Sequence, residues 1–232
     1  MIAAFKSDLV WMRGMLGQTL VLLVFFGFVC TVFSDSAVLL VPLATAALPF
    51  SAMSNLFAVD EQNGWQAFKL ALPISRDQAV AGRALTGLVT TVGALALGLL
   101  AYACARLFSS RAFGTAEEES VVVLTMGAAA CAVTLLMLGT LLVVNARFGF
   151  TKAVRYLPFA LVLVAFVGSY AVSALSKGGM EGWIASLNAW FAAMVANPGV
   201  LAGSVAAALL GCLVAYGLLC LAAARVYRAR QF

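Results

Sequence analysis

Residues 58–83 read AVDEQNGWQAFKLALPISRDQAVAGR, and the fold turns on what this stretch interrupts. It carries Asp60, Glu61, Lys69, Arg76, Asp77 and Arg83 in a chain that is 64% hydrophobic and 10% charged. A soluble domain carries about 25% charged residues. The flanking runs, 37–57 and 84–105, contain no Asp, Glu, Lys or Arg. Each is close to the roughly 20 apolar residues that a helix needs to cross a bilayer. The stretch is therefore a polar connection between two membrane spans.

Working outward, four more apolar runs of spanning length occur at 15–33, 121–144, 157–175 and 198–223, again without a charge. The mean hydropathy of the 232-residue chain is +1.07. A segment in lipid must satisfy its own backbone hydrogen bonds, and runs of this length do so as helices. The expectation is an all-α polytopic membrane protein with six transmembrane helices, a single domain over 1–232. The first run is too long for a signal-peptide core, and VFSDSA after it is a poor cleavage site, so it reads as a retained span.

Charge sets the orientation. Of the 14 Lys and Arg, all but Arg106, Arg111 and Lys177 fall on the side that holds both termini, 58–83 and 145–156. The positive-inside rule places that side in the cytoplasm. The same asymmetry accounts for a pI near 9.1 with no nucleic acid partner. Glu117, Glu118 and Glu119 read as a solvated external loop and topology marker.

Several local features add to this frame. Ile2, Phe5, Leu9 and Met12 recur at helical spacing. That suits either an interfacial helix on the inner leaflet or an extension of the first span. Pro42 and Pro49 lie in the second run, and proline removes a backbone donor, so a kink is expected. On the outer side, Trp183, Ile184, Leu187, Trp190, Phe191, Met194 and Val195 share one helical face, giving an external amphipathic helix over 181–196. Asn197 and Pro198 then supply a cap and a first-turn proline for the last span. Gly199 and Gly203 form a weak GxxxG pair there. Cys30, Cys104, Cys131, Cys212 and Cys220 all lie in apolar runs and read as packing residues.

The chemistry that is missing narrows function. With no histidine in the chain, zinc H-E-x-x-H sites and Ser-His or Cys-His nucleophiles are excluded. No P-loop occurs, so no catalytic, cofactor or metal site is expected here. The spans hold no ionisable carboxylate or base to carry a coupling ion, so energy for uphill transport would come from another subunit.

Within 58–83, Asn63 and Gln66 fit a capping pattern for a short helix over 64–72, with Trp65, Phe68 and Leu72 on one face. Pro73 stops it. Ser75, with Gln78 three residues on, caps a second helix that runs through Arg83 into the third span. The result is a helix–break–helix elbow. A Trp-bearing loop lying on lipid would not favour Asp60 and Glu61 beside an anionic leaflet, whereas a protein-docking surface accommodates both.

This elbow resembles the cytoplasmic loop of bacterial ABC-2 type transporter permeases. The resemblance rests on an acidic residue (Asp60 or Glu61), Trp65, and the turn Leu72, Pro73, Ile74, Ser75, Arg76 between the second and third of six spans. It implies the membrane subunit of an ATP-driven exporter in the bacterial plasma membrane, with both termini cytoplasmic. Two such subunits, identical or not, would pair with separately encoded cytoplasmic ABC ATPases holding ATP and Mg. Asp60, Glu61, Trp65, Phe68, Pro73, Ser75 and Arg76 would form the coupling site for the ATPase. The uncharged spans suit an amphipathic peptide or lipid-like cargo. Two other classes fit the residues: an ATPase-independent transporter or channel, and a membrane-bound partner-binding protein of the immunity type.

Overall fold

The structure is a computed structural model. It describes residues 37–63, 75–108, 116–149 and 197–229, and single positions at 8, 10, 14, 17, 21, 24, 25, 182, 185, 186 and 189. A 3-10 turn at Ala37–Leu39 leads into α1 (Leu40–Gln62), followed by α2 (Arg76–Phe108), α3 (Ala116–Phe148) and α4 (Pro198–Ala229). All four are long and apolar enough to cross a membrane. They match four of the expected spans. The isolated positions from Asp8 to Phe25 are helical. The fifth expected span, 157–175, lies outside the described residues. So do the apolar residues of the expected external amphipathic helix, whose Gly182, Ala185, Ser186 and Ala189 are helical and exposed.

The helices outlast the apolar runs that announce them. At 1.5 Å per residue, the 33 residues of α2 and of α3 reach about 50 Å, longer than the roughly 30 Å hydrocarbon core. The polar ends therefore continue as helix. Asp60, Glu61 and Gln62 belong to α1, and Glu117, Glu118 and Glu119 lie near the start of α3 rather than in a loop.

Local signals set the ends. Gln78 N–H donates to Ser75 Oγ at 3.2 Å and Ser75 N–H to Gln78 Oε1 at 3.4 Å, the reciprocal cap expected at the start of α2. Pro198 is the first residue of α4. Gly149, at φ 85°, closes α3 by donating its N–H to Asn145 O at 3.0 Å; the left-handed backbone there suits a residue without a Cβ.

The packing is intimate and partly polar. α1 lies on α2 and α3, α3 lies on α4, and α2 touches both α3 and α4. Met53, Leu56 and Phe57 of α1 meet Leu135, Leu138, Leu141 and Leu142 of α3 and Tyr216 and Ala223 of α4. A Cβ on Gly98 would sit 3.2 Å from both Cα and O of Val41, so the α1 and α2 backbones approach closely there. Pro49, inside α1, has no N–H for the carbonyl of Thr45 one turn back. Thr134 Oγ1 of α3 lies 3.3 Å from that carbonyl and 2.7 Å from Ala130 O of its own helix, so its one proton is shared between the two. Tyr216 of α4 likewise donates to Ala84 O of α2 at 2.8 Å. Outward, Val92, Leu100, Leu124, Leu210, Val214 and Leu218 are exposed, as a lipid solvent permits.

Direction follows from these contacts. α1 and α2 are antiparallel, because the end of α1 meets the start of α2 at Asp60 and Arg83. α3 and α4 run parallel: Gly139 faces Tyr216 and Leu219, and the end of α4 returns through Arg228 to Asp77 at the start of α2. Gly149, after α3, and Asn197, before α4, therefore stand at opposite ends of the bundle.

Candidate functional site at the polar end of the bundle

One end of the bundle gathers the charged residues that border the apolar runs. Arg83, on the second turn of α2, is 7% exposed. Its Nη2 donates to Asp60 Oδ2 on the last turn of α1. Its Nε lies 3.4 Å from Asp8 Oδ2. Asp60 and Asp8 are 8% and 3% exposed. The Thr86 hydroxyl, one turn along α2, lies 3.3 Å from the same Asp8 oxygen and 3.0 Å from Gly82 O. The guanidinium also sits over the Phe57 ring, 5.3 Å from its centroid. A planar fork with several donors can serve two carboxylates at once, which an ammonium does less well.

This cluster borders a cavity of about 60 Å³, whose lining includes Asp8, Asp60, Arg83, Asn145 and Tyr227. Two of those residues hold buried atoms with no partner among the described residues, Arg83 Nη1 and Asn145 Oδ1. Such groups are costly when dry, and a site this polar and roomy suits water. Breaking a buried ion pair by removing one partner typically costs about 3–5 kcal/mol. The cluster joins the end of α1, the start of α2 and the chain at Asp8. At the rim, Arg228 Nε and Asp77 Oδ1 pair at 2.7 Å, but both side chains are largely exposed, so this pair contributes little.

The expected coupling residues divide around this centre. Asp60 and Glu61 point different ways, because neighbours on a helix are about 100° apart. Asp60 turns in to Arg83, and Glu61 is exposed. Ser75 is exposed and caps α2, and Arg76 is the first residue of α2. Trp65, Phe68 and Pro73 lie outside the described residues. Sequence reasoning missed Asp8, Arg83, Thr86 and Asn145 as a group. The available signal was opposite charge at the polar ends of neighbouring spans.

Among the described residues there is no group of His, Cys, Asp or Glu that could hold a metal ion. No curated protein and no solved structure matches the chain. The family model described as ABC-2 family transporter protein matches residues 5–227, nearly the whole length. The chain, a multi-pass membrane permease of the ABC transporter type, belongs to the ABC-2 transporter family.

Proposed function

We propose that the chain is the membrane subunit of an ATP-driven exporter whose energy comes from a separately encoded cytoplasmic ATPase docked on the 58–83 elbow. The observation that carries this reading is the construction of the elbow's exit. The Ser75–Gln78 cap fixes the start of a 33-residue helix that runs from the elbow across the membrane. A push applied at Ser75 or Arg76 is thus delivered to a continuous rod. The matched family supports the partner, since such permeases work with a cytoplasmic ATPase. Glu61, Trp65, Phe68, Pro73, Ser75 and Arg76 form the docking surface, and Asp60 braces it from within. ATP and Mg belong to the ATPase.

The polar end of the bundle is the cytoplasmic end, with both chain termini on that side. The parallel course of α3 and α4 supports a return crossing between them, and so the six-span plan. A second permease subunit completes the pathway, and the cargo is amphipathic, a membrane-active peptide or lipid-like molecule. The test is affinity purification from gently solubilised native membranes. Wild type should bring down a P-loop ATPase, and Trp65→Ala or Arg76→Glu should lose it while inserting normally. Retained binding in both variants removes the elbow assignment. Purified chain that moves solute with no ATPase present removes the exporter reading.

A further inference from the structure

We propose that Asp8 is a positioning residue that fastens the N-terminal segment to the elbow's exit helix, so that the two move as one body. The geometry is specific. Asp8 is the most buried carboxylate in the cluster and lies 78 positions from Thr86 in sequence. Its Oδ2 faces two groups on successive turns of α2, Arg83 Nε at 3.4 Å and Thr86 Oγ1 at 3.3 Å. Arg83 in turn binds Asp60, so α1, α2 and the N-terminal segment meet at one guanidinium.

Nearby helical positions of the same segment, Val10, Gly14, Gly17, Val21 and Val24, are exposed, and among the described residues no group lies within 4 Å of where a Cβ would stand on either glycine. Among the described residues of the segment, Asp8 is the one buried against α2, and it supplies a directional tie. Arg83 stands seven residues beyond Arg76, two helical turns into α2, so displacement of the elbow's exit is passed rigidly to the Asp8 contact. An aspartate buried this deeply would be a liability in a simple lipid anchor; as one member of a three-element ion cluster it fixes a single register.

The anchor itself follows from the geometry, and its role in transport rests on the exporter reading above. Spin labels at Val10 and Leu100, both exposed, report the separation of the N-terminal segment from α2. They are placed in full-length chain with its native cysteines replaced, purified from native membranes together with whatever ATPase accompanies it. Wild type and Asp8→Glu should give a single narrow distance distribution, and Asp8→Ala should lose it. Asp8→Asn, which keeps the side chain's shape, should broaden it less, and it also serves if Asp8→Ala inserts poorly. A narrow distribution retained in both Asp8→Ala and Asp8→Asn overturns the anchor. Loss of the narrow peak in a preparation that contains no ATPase even in wild type keeps the anchor and sinks the exporter reading instead.

Discussion

Pro49 and Thr134 should be energetically coupled although they lie on different helices. Pro49 leaves Thr45 O without its intrahelical donor, and Thr134 Oγ1 fills the gap at 3.3 Å. Both threonines are buried, so water does not reach the carbonyl. Thr134→Val keeps the shape and removes the hydroxyl. Interhelical hydrogen bonds in bilayers average about 0.6 kcal/mol. Here the acceptor is also left dry, and the low end of that penalty adds about 1 kcal/mol. The loss expected in the Pro49 background is therefore about 1–2 kcal/mol. In Pro49→Ala the new N–H serves Thr45 O, and the same Thr134→Val change should cost about 1 kcal/mol less. Thr134 Oγ1 also lies 2.7 Å from Ala130 O on its own helix, and its one proton is shared between the two carbonyls; in Pro49→Ala it turns to Ala130 O, so about 1 kcal/mol is the upper end of the expected coupling. Reversible unfolding in bicelles by steric trapping reads all four variants. A coupling energy below about 0.3 kcal/mol, the level at which independent sites add, would mean that Thr134 does not serve Thr45 O.

Three further outcomes follow from packing and end geometry. Ser75→Ala should cost about 1 kcal/mol, seen as faster amide exchange at the first turn of α2 with no change deeper in the helix. Gly98→Val should destabilise by about 1–3 kcal/mol, because the neighbours it meets are backbone atoms of Val41, whereas Gly93→Ala, with open space around it, should leave thermal stability unchanged. Arg228→Ala should cost less than about 0.5 kcal/mol and less still at high salt; a larger loss would contradict the small contribution expected of so exposed a side chain.

Four spans and their order were legible because lipid demands uninterrupted apolar length, and the runs 37–57, 84–105, 121–144 and 198–223 meet that demand. Their ends were not, because a charged residue marks where hydrocarbon stops and not where the helix stops. Nothing in Val59, Asp60, Glu61, Gln62 breaks a helix, and α1 ends only at Asn63, beside Gly64. The Ser75 cap was readable, since donor and acceptor lie three residues apart. The Arg83 cluster was not, since its members come from three elements and each, taken singly, looks like a topology charge. Pro49 was visible as a break in the hydrogen-bond ladder, but the donor that repairs it sits 89 positions away on α3.

The exporter proposal requires that the polar end of the bundle face the cytoplasm and carry an ATPase. Asn63 is exposed at the mouth of the elbow, immediately after α1. A photo-crosslinking amino acid at Asn63 in intact cells should capture a protein with a P-loop, identified by mass spectrometry. Capture that fails there, together with labelling of the same position by a membrane-impermeant reagent added outside the cell, would contradict both the orientation and the energy source.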